Sequence, residues 1–130
     1  MRKNGVAHFE IYADDPDKLQ KFYGELFDWK FQTVQMAGMD YHVVQTVDID
    51  AKGGPKDPGA IDGGMLKRPA GYHSKAWVNY VNVESLDASV EKAVTLGAKV
   101  TKPRTEVPGM GSFAMLVDPE GTPFAMWQAK

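Results

Sequence analysis

Three side chains able to do chemistry stand close together near the start of the chain: His8, Glu10 and Tyr12. The run Val-Ala-His-Phe-Glu-Ile-Tyr-Ala over residues 6–13 alternates in polarity, the period of a half-buried strand. Ala7, Phe9, Ile11 and Ala13 therefore share one face, and His8, Glu10 and Tyr12 share the other. An imidazole, a carboxylate and a phenol on one face can hold a small molecule by hydrogen bonds. Glu10 could also move a proton if burial raised its pKa; pairing with a Lys or Arg at a rim is its plainer fate. Tyr80 and Trp127 lie on strand faces expected to look the same way, with Ala125 as a small residue between. Aromatic walls with polar tips suit a flat or cationic organic ligand, or else pack a closed cleft or an interface.

Other candidate chemistries are excluded or weak. There is no cysteine, hence no disulfide framework, thiolate metal site or cysteine nucleophile. Gly63-Gly64-Met65 lacks the Lys-Ser/Thr and following helix of a phosphate loop and reads instead as close strand approach or as space left over the cup. Asp14, Asp15 and Asp17 read as charges favoured at a helix N-terminus, not as a catalytic dyad. His42 and His73 read as solvated. No Ser/His/Asp triad or nucleotide fingerprint is present.

The elements that must position these residues are legible from pattern. Asp15 offers an N-cap and Pro16 suits the first helical position. Leu19, Phe22, Tyr23, Leu26 and Phe27 then form one apolar helical stripe, expected to be core. Residues 29–34, 41–47 and 59–66 read as strands, 48–58 as a mobile loop and 67–74 as a linker. In the second half, 77–83 reads as a strand and Ser85 as an N-cap. Val90, Ala93 and Val94 give a helical stripe that Gly97 ends. Strands follow at 98–101, 112–117 and 122–128, with a hairpin turn at Asp118-Pro119-Glu120-Gly121. An offset of 70 lays strand on strand and helix on helix from Val6 to Lys30, although few residues are identical.

At 130 residues and a net charge of −2, the chain reads as one domain with room for a core and without the electrostatic signature of a nucleic-acid binder. No run suits a membrane span or a signal peptide. The expectation is a soluble cytoplasmic protein with no nucleic-acid or membrane partner. The fold expected is α+β: two paired βαβββ modules, at about 5–66 and 75–128, forming one curved, cupped sheet domain with helices on the outer side.

Several segments resemble a known family. They are His8-Phe-Glu-Ile-Tyr-Ala-Asp-Asp, the helix ending Phe22-Tyr-Gly-Glu-Leu-Phe-Asp-Trp29, and Gly63-Gly64-Met65. Trp77-Val-Asn-Tyr-Val-Asn-Val83, Leu96-Gly-Ala-Lys-Val100, Asp118-Pro-Glu-Gly121 and Phe124-Ala-Met-Trp127 continue the likeness. Together they are similar to the vicinal oxygen chelate superfamily of glyoxalase I, bleomycin- and fosfomycin-resistance proteins and extradiol dioxygenases. The likeness is greatest to its glyoxalase-related bacterial branch. The resemblance implies a homodimer and, in metal-dependent members, a divalent ion held by four side chains. Those four positions fall here on His8, Val78, Ala125 and a residue near Gly63, with Asp62 pointing away. Only His8 retains a donor, so no cofactor is expected. The leading expectation is a small-molecule binding protein of the glyoxalase/bleomycin-resistance type. It would hold an aromatic or amphipathic ligand through His8, Glu10, Tyr12, Tyr80 and Trp127. A metal-dependent (Zn, Ni, Mn or Fe) lyase or dioxygenase is the alternative, and a metal-free isomerase or epimerase with Glu10 as catalytic base is a third.

Overall fold

A computed structural model describes residues 3–36 and 38–130. The chain divides into two compact units: one is His8–Trp77, the other Val78–Lys130 with the first residues through Ala7. Ten elements follow one another: β1 (Val6–Ala13), α1 (Pro16–Phe27), β2 (Lys30–Met36), β3 (Met39–Gln45), β4 (Gly63–Lys67), β5 (Val78–Asn82), α2 (Leu86–Thr95), β6 (Lys99–Val107), β7 (Gly111–Val117) and β8 (Pro123–Ala129). This is an α+β chain in which the order βαβββ occurs twice.

The helices start where side-chain capping dictates. Asp15 Oδ1 accepts the backbone N–H of Lys18 at 3.2 Å, with Pro16 opening α1. Ser85 Oγ accepts the N–H of Ala88 at 3.2 Å at the start of α2. Each bond satisfies one of the donors that a helix N-terminus leaves unpaired. The two caps sit 70 positions apart, as the sequence offset requires. Gly97, at φ +106°, takes the left-handed turn beyond α2 that a side chain would resist.

In the first unit the strand order is β2-β3-β4-β1, with β1 parallel to β4 and the remaining neighbours antiparallel. Phe9, Ile11, Ala13, Val44 and Met65 make its buried core, and Leu19, Tyr23, Trp29, Phe31 and Ile61 pack against it. The second unit repeats the plan as β5-β8-β7-β6, with β5 parallel to β8. Its core is Leu86, Ala98, Ala114, Leu116 and Met126.

Some expectations from the sequence are corrected here. The α1 stripe is not all core: Leu19 and Tyr23 pack inward, but Phe22 is 54%, Leu26 58% and Phe27 52% exposed. The stripe is wider than the one sheet face α1 covers. His42 is buried, not solvated, because it shares the helix-side parity of Val44; its Nδ1 lies 2.8 Å from Thr33 Oγ1. The fourth strand begins at Gly63 rather than Gly59. Within the loop at 48–58, Asp50 Oδ1 accepts the N–H groups of Lys52 and Gly54.

Candidate functional site

Strand parity puts His8, Glu10 and Tyr12 on the face of β1 opposite Phe9, Ile11 and Ala13, as the alternation requires. The His8 side chain is 35% exposed and that of Glu10 only 13%. Glu10 is held by two phenols. Tyr12 donates to its Oε1 at 3.2 Å, and Tyr41 donates to its Oε2 at 3.0 Å. His8 Nε2 lies 3.0 Å from Tyr41 Oη and 3.9 Å from Glu10 Oε2. The Tyr12 ring in turn leans on Tyr72, with centroids 4.8 Å apart.

Tyr41 is the residue that reading the sequence missed. It reaches the β1 face from β3, across β4, because Gly64 lies between. A Cβ built on Gly64 would fall 1.8 Å from Tyr41 Oη and 2.1 Å from its Cζ. The glycine thus makes the room that the phenol fills. Burial is the main force raising the Tyr41 pKa far above the ordinary tyrosine value, and the Glu10 charge adds to it. An anionic phenolate would be poorly solvated there and next to a carboxylate, so Tyr41 stays a donor. Burial also raises the Tyr72 pKa.

In the second unit the same parity places Tyr80, Ala125 and Trp127 on the face away from Leu116 and Met126. Tyr80 is buried beside Phe113, ring centroids 6.2 Å apart. Trp127 is half-buried, its ring over Gly111, where a Cβ would come within 2.9 Å of Cζ2. Tyr80 pairs with Ala125 just as Glu10 pairs with Gly64. The first-unit counterpart of Ala125 is therefore Gly64, not Gly63. Val78, the counterpart of His8, is fully buried.

His73 is exposed, and its backbone oxygen accepts from Arg68 at 3.5 Å. Asp62 is occupied structurally: its Oδ1 accepts from the N–H and Oγ1 of Thr46 at 2.8 and 3.1 Å. Among the described residues, no three His, Asp or Glu side chains converge as a metal-holding group. No helix among them is long and apolar enough to cross a membrane.

The sequence pattern of the glyoxalase-like domain family matches residues 8–127. The chain belongs to that family. Curated relatives of this glyoxalase-like domain include CFP32 of Mycobacterium tuberculosis (strain CDC 1551 / Oshkosh), which bears a provisional glyoxylase name. It is 27% identical over 118 residues, 90% of this chain and 41% of CFP32. The anthracycline biosynthesis protein DnrV of Streptomyces peucetius is 28% identical over 94% of the chain and 46% of its own length. The glyoxalase-like domain thus spans less than half the length of these two relatives. Among solved structures, a Bacillus halodurans C-125 protein superposes with a TM-score of 0.71 at 11% identity, covering 99% of this chain and 96% of that one. A Streptomyces coelicolor methylmalonyl-CoA epimerase gives a TM-score of 0.69 at 14% identity over 98% of this chain and 99% of that one. These structures establish that the fold is that of the vicinal oxygen chelate proteins.

Proposed function

We propose that this glyoxalase-like domain binds a small aromatic or amphipathic molecule on the polar face of β1. The ligand's donor or cationic group goes to the Glu10–Tyr12–Tyr41 cluster, with His8 beside it. The observation that carries this reading is the Glu10 carboxylate, largely shielded from solvent and fixed by two phenols. A pre-positioned acceptor walled by aromatic rings recognises an organic donor without first ordering itself. Relatives named for anthracycline biosynthesis support a flat aromatic ligand. Tyr80 and Trp127 carry the same expectation for the corresponding face of the second unit. Binding of this kind needs no reaction and no metal.

The same carboxylate favours a second reading, in which Glu10 is the base of a metal-free isomerase or epimerase. Native mass spectrometry of protein purified without chelator tests the first. A near-stoichiometric organic adduct that Glu10→Gln releases is the expected result; near-stoichiometric Zn, Ni, Mn or Fe would overturn the reading in favour of a lyase or dioxygenase. A substrate whose turnover, but not its binding, is abolished by Glu10→Gln would establish the second.

A further inference from the structure

We infer that Tyr41 is a positioning residue that commits His8 Nε2 to hydrogen-bond donation and so closes the β1 face to a divalent cation. His8 Nε2 and Glu10 Oε2 stand 3.9 Å apart, a span that an ion with bonds of roughly 2 Å to each could bridge. Tyr41 Oη lies 3.0 Å from both atoms and hydrogen-bonds to each.

The direction of the two bonds follows from counting hydrogens. A carboxylate only accepts, and a phenol carries one hydrogen. Tyr41 therefore gives its hydrogen to Glu10, and its oxygen must accept from His8. The proton of the imidazole is accordingly on Nε2. A ring nitrogen that carries a proton has no lone pair for a metal. The order His8 Nε2–H to Tyr41 O–H to Glu10 Oε2 is a one-way chain of donors.

The main chain reinforces this arrangement. Gly64 is the register counterpart opposite Glu10 and offers no side-chain donor. At Gly64 no side chain could enter while the phenol is in place, since even a Cβ would overlap Tyr41 Oη. The glycine and the tyrosine work as a pair: one vacates the notch on β4 and the other fills it from β3. The inference stands whichever molecule the face receives.

Long-range 1H–15N correlation spectra of the wild-type chain at mildly alkaline pH read the His8 tautomer directly, and the Nε2–H form is expected. A Nδ1–H form would overturn the inference even if no variant folded. In a Co2+ titration, the His8 ring signals of Tyr41→Phe should respond at a concentration at least about tenfold below that needed for wild type. An equal response overturns the inference. So does tighter uptake by wild type, which would make the phenol a ligand. These readouts are independent of the organic adduct, so failure here and failure of the ligand-binding reading are distinguishable.

Discussion

Adding a single methyl group at Gly64 tests the packing argument most sharply. The backbone there is not left-handed, so alanine brings no conformational strain, only volume: its Cβ would overlap Tyr41 Oη at 1.8 Å, Cζ at 2.1 Å and Cε1 at 2.7 Å. The ring must move by more than an ångström, which breaks its bonds to Glu10 and His8. A hydrogen bond to a charged group contributes about 1.5–3 kcal/mol and a neutral one about 0.5–1.5 kcal/mol. Replacing glycine by alanine in a permitted conformation otherwise stabilises by about 0.4–1 kcal/mol. Gly64→Ala should therefore destabilise by about 2–3 kcal/mol, lowering Tm by roughly 10 °C for a chain of this size. Urea unfolding followed by tryptophan fluorescence measures it. In a Tyr41→Ala background the same methyl group should cost little, so the double-mutant cycle should show a coupling of about 2 kcal/mol. A Gly64→Ala protein as stable as wild type, or additive behaviour in the cycle, would refute the proposed pairing of notch and phenol.

Other perturbations have equally definite outcomes. Because the Tyr41 pKa is raised in the folded state, its contribution to stability is complete below the unfolded tyrosine value of about 10 and declines as pH rises above it. Absorbance at 295 nm should then show a tyrosine component titrating only with alkaline unfolding, and Tyr41→Phe should diminish that component. Leu86→Ala, at a fully buried position in the second core, should cost about 2–5 kcal/mol in denaturant unfolding. Asp15→Ala removes the α1 cap and should cost about 1 kcal/mol by the same assay. Trp127→Ala should weaken binding of a co-purifying ligand by about 1 kcal/mol or more in calorimetry without unfolding the chain; unchanged affinity would make the residue a packing element.

What the sequence showed of the fold is whatever is encoded over short range. The alternation of β1, the caps at Asp15 and Ser85, the left-handed Gly97 and the Asp118–Gly121 turn each depend on neighbours within a few residues. The turn closes as expected, with Asp118 Oδ1 accepting the N–H groups of Glu120 and Thr122. The grouping of His8, Glu10 and Tyr12 follows from the same local period. Tyr41 escaped because its place depends on register across three strands, which no local pattern sets. Its trace was the small-residue gap at Gly64, legible only once Gly64 is known to face Glu10. The α1 stripe shows the converse: periodicity identifies an apolar face, but the width of the sheet beneath decides that Phe22 and Leu26 remain exposed. His42 turned inward for a reason of parity, sharing the side of Val44 and facing Met65 on β4.

The parallel pairing of first and last strands has a kinetic meaning. Phe9 meets Gly63, and Tyr80 meets Ala125, across most of the length of each unit, whereas β2–β3 and β7–β8 join neighbours in the chain. Closing long loops carries the larger entropy cost, so hairpins zip early and distant ladders late. His8 and Glu10 can reach Tyr41 only after that slow closure, which makes the phenol-held carboxylate one of the last features to assemble and a reporter of completed folding.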